Sequence, residues 1–181
     1  LILENRDIGV LFFDNYPIAL IILIVWATSE EVLKYLAAKW GGISKKANDE
    51  PIDPVIYMIT AALGFSALEN TLYVLAPVID GQLTAGLLNG NLRFIGATLL
   101  HVASSAIIGL FIAFSYYKNK LIKSRYLLTG LVFSIALHTV FNSFIIRSGT
   151  FTLMSFILVW LSIVLIILVF EIIKRKIKRF K

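Results

Sequence analysis

Cysteine is absent from the 181 residues, so disulfides, thiolate nucleophiles and cysteine-ligated zinc sites are excluded. Charge is nearly as scarce. Asp, Glu, Lys and Arg make up 15% of the chain, against about 25% in a soluble domain. Prolines number four and histidines two. No HExxH and no GxSxG occurs, and no intramembrane Ser/His or Asp/Asp pairing is present, so a soluble-type zinc helix, a rhomboid-type site and a presenilin-type site are not expected. What fills the sequence is apolar: 59% hydrophobic residues and a mean hydropathy of +0.86. A chain of this kind is a membrane protein, and its length suits one helical bundle with no separate soluble domain.

Hydropathy predicts an all-α, polytopic transmembrane bundle with about five spans. They run from about Pro17 to Trp40, Pro54 to Ala76, Asn91 to Tyr117, Arg125 to Arg147 and Gly149 to Ile173. Pro77 is expected to stop the second span, since proline and glycine fall at the boundaries. Residues 1–16 are expected to be an extracytoplasmic or interfacial segment, residues 17–173 the bundle, and residues 174–181 a basic tail. Because the chain opens with Leu1 and carries no positively charged leader, it is expected to begin inside a longer protein, with one or two helices upstream and no signal peptide.

The net charge of +6 is local: Lys174 to Lys181 hold six Lys/Arg, and the remaining eleven basic residues balance eleven acids. A basic run directly after an apolar helix reads as a lipid-headgroup anchor, and no nucleic-acid partner is expected. Lys39, Lys45 and Lys46 flank the first connection and Lys118, Lys120, Lys123 and Arg125 the third; only Arg6, Arg93 and Arg147 lie toward the other face. The positive-inside rule makes this a multi-pass cell-membrane protein with its C-terminus in the cytoplasm.

Within the apolar spans sit Glu30, Glu31 and Lys34, then Glu69 and Asn70, then His101, then His138 and Asn142. Ionisable groups at such positions are costly and are kept for pairing, ion handling or chemistry. At 1.5 Å per residue, Glu30 lies about 20 Å from Pro17, Glu69 about 12 Å from Pro77, His101 about 15 Å from Asn91 and His138 about 14 Å from Arg147. All four helices therefore direct polar groups into one slab, mostly in the outer half of the bilayer. The two adjacent glutamates diverge by about 100° around their helix, so one can face a site while the other pairs with Lys34. Gly64, Ser66 and Ala67 are small and are expected to admit a neighbouring helix beside Glu69. Each residue alone also has a structural reading, as an ion pair, an interhelical hydrogen bond or a core histidine. Together they hold the groups that peptide hydrolysis needs. Carboxylates and imidazoles can activate water, or can alternatively hold Zn²⁺, and an amide one turn after His138 can donate to an oxyanion.

In order and spacing, Glu30-Glu31-Val-Leu-Lys34, Gly64-Phe65-Ser-Ala-Leu-Glu69-Asn70, Leu100-His101 through Gly109, and Leu137-His138 through Asn142 resemble the PrsW family of intramembrane proteases. The likeness runs from about residue 26 to residue 144. That family is related to the type II CAAX prenyl endopeptidases and bacteriocin-immunity proteins, which carry His where this chain has Glu69; Asn142 matches the HxxxN of the CAAX-type relatives. The resemblance implies hydrolysis of a peptide bond in or near the membrane, in a single-pass substrate such as an anti-sigma factor, cut on its extracytoplasmic side. Such enzymes are described as glutamic or as metal-dependent. The expected catalytic set is Glu30, Glu31, Glu69, His101, His138 and Asn142, with Glu30 or Glu31 as general base. A metal, if held, is expected on Glu31, Glu69, His101 and His138, with Lys34 and Asn70 in support. The rival readings are an ion- or proton-handling carrier, an immunity scaffold, and a CAAX-type endopeptidase.

Overall fold

A computed structural model describes residues 15–81, 83–147 and 149–178, and the side chains of all of these except residues 83–94 and 176–178. Most of the expected 1–16 segment, Arg6, the side chains of Asn91 and Arg93, and the end of the basic tail lie outside the described residues. Five helices follow one another: α1 (Tyr16–Ala38), α2 (Asp53–Ile79), α3 (Leu83–Phe114), α4 (Lys120–Arg147) and α5 (Thr150–Lys178). Each contains a stretch long and apolar enough to cross a membrane, and among the described residues there is no strand.

Local chemistry sets the ends. Pro17 opens α1, where its missing N–H costs nothing, and one π turn (Lys39–Ile43) closes it. Gly42 in that turn lies under the Tyr57 ring with no room for a Cβ. Before α2, Asp53 Oδ2 accepts the backbone N–H groups of Asp49 and Glu50 at 3.0 and 2.7 Å. Asn119 caps α4 by accepting the Ile122 N–H at 3.0 Å. At the other end of the bundle Gly81 (φ 76°) and Gly149 (φ 60°) take the left-handed conformation needed to turn between α2 and α3 and between α4 and α5.

α4 starts at Lys120, ahead of the expected Arg125, α5 runs past Ile173 to Lys178, and two further boundaries differ for identifiable reasons. Pro77 does not stop α2, which runs on to Ile79. Near a C-terminus a proline removes only one hydrogen bond, and the Ala76 carbonyl is still capped by the Asp80 N–H. The third helix starts at Leu83, ahead of the expected Asn91, because polar residues outside the hydrocarbon lower hydropathy without ending a helix; its apolar stretch is Ile95–Phe114.

α3 is the centre of the bundle and packs against all four other helices, most extensively against α2. Small residues allow this: Ala103, Ser104, Ser105, Ala106, Gly109 and Ala113 are all buried. A Cβ on Gly109 would meet the Val55 Cα at 2.6 Å, and one on Gly130 the Phe111 Cβ at 2.9 Å, so α2 and α4 both press on α3. Of the three small residues expected to admit a neighbouring helix, Ser66 is buried, but Gly64 and Ala67 are not. A Cβ on Gly64 would meet no heavy atom within 4 Å, and Ala67 is exposed, since both lie on the outer face of α2. Gly109→Ala should therefore destabilise the bundle by about 1–3 kcal/mol through overpacking against backbone. Gly64→Ala should be neutral or stabilising by about 0.5–1 kcal/mol. Unfolding in detergent micelles compares the two.

Candidate active site

On α1 the buried positions recur every three or four residues: Ala19, Leu23, Ala27, Glu31, Lys34 and Ala38. Glu31 and Lys34 thus continue the small, apolar stripe that faces the other helices, and both side chains are 0% exposed. Glu31 is surrounded by donors. Its Oε1 accepts from Lys34 Nζ, from Ser104 Oγ at 2.8 Å and from His138 Nδ1 at 2.8 Å, and its Oε2 accepts from Ser105 Oγ at 3.3 Å. One carboxylate therefore ties α1 to α3 and α4.

Glu30 points a different way. Its side chain is 23% exposed, yet its Oε2 is buried and makes no hydrogen bond. That oxygen lies 3.4 Å from His138 Nε2 and 4.0 Å from His101 Nδ1. The two imidazole rings meet edge to face with centroids 5.2 Å apart.

The hydrogen bonds assign the tautomers. An ionised carboxylate only accepts, so His138 donates from Nδ1 to Glu31, and His101 donates from Nε2 to Glu69 Oε2 at 2.8 Å. Each ring then carries a lone pair on its other nitrogen, His138 Nε2 and His101 Nδ1, the latter accepting from Lys34 Nζ at 3.1 Å. Both of those nitrogens face Glu30. A carboxylate behind each histidine is the arrangement that orients an imidazole toward a metal. Glu30, His101 and His138 offer one ligand atom each, all within 4.8 Å of one another. An orphaned carboxylate oxygen facing two imidazole lone pairs fits a divalent cation such as Zn²⁺, which accepts N and O ligands of this kind.

The expected site residues are thus brought together with two exceptions. Glu30, Glu31, Lys34, Glu69, His101 and His138 form one network, drawn from four helices. Asn70 instead donates to Thr98 at 3.2 Å, and half-buried Asn142, one turn after His138, makes no side-chain hydrogen bond among the described residues. Expected ligands Glu31 and Glu69 stand on the far nitrogens of the histidines, while Glu30 stands between the near ones. Ser104, Ser105 and Phe65 were not among the expected residues. The serines lie three and four positions after His101, and that spacing is a signal for sharing its face. Phe65 packs edge-on to His101 (5.3 Å between centroids) with Lys34 Nζ 5.2 Å from its ring centroid.

A bundle of membrane-crossing helices that gathers two imidazoles and three carboxylates at one point defines a polytopic membrane protein with a candidate hydrolytic metal centre. The chain belongs to the PrsW family of intramembrane metalloproteases, whose profile matches residues 8–170. It is 31% identical over 119 residues to a protein named Protease PrsW from Geobacillus kaustophilus (strain HTA426), an overlap covering 64% of this chain and 48% of that protein. It is 28% identical over 144 residues to Protease PrsW of Clostridioides difficile (strain 630), covering 78% of this chain and 59% of the relative. The chain thus spans about half the length of the curated relatives it matches. No solved structure matches it.

The two adjacent glutamates should behave differently on amide substitution. Glu31→Gln leaves the buried Lys34 ammonium without its carboxylate and should cost about 3–5 kcal/mol of bundle stability. Glu30→Gln breaks no hydrogen bond of Oε2 and should cost about 1 kcal/mol or less. Thermal unfolding of the purified variants in one detergent measures both.

Proposed function

We propose that this chain carries the catalytic centre of a metal-dependent intramembrane endopeptidase. The observation that carries the reading is the unpartnered, buried Glu30 Oε2 opposite His138 Nε2 and His101 Nδ1. Glu30, His101 and His138 would hold the ion, and Zn²⁺ bound there would polarise a peptide carbonyl and bring a water molecule toward ionisation near neutral pH. Glu31 and Glu69 hold the tautomers of the two histidines. Glu31 already accepts from four donors, so of the adjacent pair it is Glu30 that would serve, holding the ion through Oε2 and taking the proton of the attacking water on its other oxygen. The Asn142 amide, one turn beyond His138 and outside the hydrogen-bonded network, would be the donor to the oxyanion.

The substrate is a membrane-embedded segment of a single-pass protein, of the anti-sigma-factor kind. Its entry side is marked by Glu30 on α1 and Glu69 on α2, which are 23% and 21% exposed, while the side chains of Glu31, Lys34, His101 and His138 are 2% exposed or less. The α1–α2 and α3–α4 connections and the end of α5 share one end of the bundle, and that end bears Lys39, Lys45, Lys46, Lys118, Lys120, Lys123, Arg125, Lys174 and Arg175. By the positive-inside rule it faces the cytoplasm, together with the C-terminus. Cleavage then falls toward the extracytoplasmic side, since Glu69, His101 and His138 lie nearer the opposite ends of their spans.

Purified protein should contain about one zinc per chain, lost in His138→Ala, by elemental mass spectrometry. Glu30→Gln and His138→Ala should each abolish cleavage of a co-expressed single-pass reporter while leaving the bundle folded. Retained cleavage in either variant removes that residue from the mechanism. Zinc-free protein that still cleaves would replace the metal reading with glutamate-activated water.

A further inference from the structure

Lys34 is the one lysine among the described side chains that is wholly buried, and its ammonium does two things. It pairs with Glu31, and it donates to His101 Nδ1 at 3.1 Å. The second bond falls on the same nitrogen that, with Glu30 Oε2 and His138 Nε2, makes up the candidate metal site. A lone pair holds one partner at a time. An ammonium donating to His101 Nδ1 therefore shuts that nitrogen to a metal, and a metal bound there must turn the ammonium away. The geometry provides somewhere for it to go, because Glu31 lies on its own helix, three residues back, and the centroid of the Phe65 ring is 5.2 Å away.

We propose that Lys34 is a resident cation that competes with the metal for His101 Nδ1. It balances the buried site when no ion is bound, withdraws to Glu31 and Phe65 when one binds, and so weakens metal affinity. This rests on the metal-site reading above and adds a positioning residue to it. Both electrostatics and ligand availability give the same sign. Removing a positive charge beside a dication strengthens binding of the dication, and removing the donor frees the nitrogen. A purely structural role predicts the reverse, since losing the Glu31 partner would loosen His138 and weaken the site.

The test is equilibrium competition for Zn²⁺ between the detergent-purified protein and a fluorescent chelator, for wild type, Lys34→Met, Lys34→Gln and His138→Ala. Lys34→Met should bind Zn²⁺ about tenfold more tightly than wild type or better, a small effect beside monovalent–divalent repulsion over a few ångströms in a protein interior. Lys34→Gln keeps a donor for Glu31 if the methionine variant folds poorly, and should shift in the same direction. Affinity equal to or weaker than wild type in the folded variants overturns the proposal. If His138→Ala binds Zn²⁺ as wild type does, the metal site itself is misplaced and this inference falls with it; if only His138→Ala loses the ion and the Lys34 variants bind no more tightly, the site stands and the role of Lys34 falls. A readout on the unaltered protein guards against both variants failing to fold. The slowly exchanging ammonium resonance of the buried lysine in ¹⁵N-lysine-labelled wild type should move on adding Zn²⁺, and an unmoved resonance overturns the proposal.

Discussion

The rest of the structure depends on the carboxylate of Glu31. An ionised group at the centre of a bundle in lipid has no water to turn to, so its lone pairs must be satisfied by protein. Glu31 achieves this with an ammonium from its own helix, two hydroxyls from α3 and an imidazole from α4. Those four bonds can form only if α1, α3 and α4 stand at one spacing and one rotation. The polar centre is therefore a constraint on the assembly of the helices as well as the candidate site.

Meeting that constraint requires thin helices. Ser104 and Ser105 reach Glu31 because α3 carries Ala103, Ala106 and Gly109 around them, and larger residues would push α1 and α2 outward. The same closeness brings the two rings of His101 and His138 into edge contact. The divergent roles of the Glu-Glu pair follow from the 100° step of the helix, on the order of a quarter turn per residue. With Glu31 committed inward, Glu30 is turned toward the side where α1 and α2 leave the site partly open, and its buried oxygen is left facing the histidines.

Much of this could be read from the sequence because its signals are periodic or rare. Long apolar runs located the five spans, and two histidines and three glutamates in an otherwise apolar interior had few places to go but one another. The Lys34 pairing with one of the two glutamates follows from i, i+3 spacing. Which glutamate it takes does not, because Glu30 and Glu31 are equally within reach of Lys34 along the helix. Only the rotation of α1 in the bundle decides, and its inward stripe is continued by Ala19, Leu23 and Ala27, residues with no polar signal. Gly64 and Gly109 look alike in sequence for a similar reason. The first lies on the outer face of α2 and the second against the Val55 backbone, a distinction made by tertiary packing alone. Pro77 was misleading because proline tolerance depends on distance from the end of the helix, which hydropathy does not mark.

α5 contributes no residue to this network, yet it completes the support of the histidines. It is the most apolar of the five helices, with a mean hydropathy of 3.1 over its best window, and most of its surface is exposed to what would be lipid. Its contacts go to α3 and α4, the two helices that carry His101 and His138. Val159 packs with Leu100 and Phe141, which are one residue before His101 and three after His138. An imidazole whose tautomer is fixed by a carboxylate still moves if its helix rotates by a few degrees, and packing adds to the hydrogen bonds that resist it. α5 clamps the two histidine helices from outside, in the layer of their rings, while Glu31 and Glu69 fix the rings from within. The geometry that turns both lone pairs toward Glu30 is therefore held by apolar packing on one side and hydrogen bonds on the other, and neither alone would keep it.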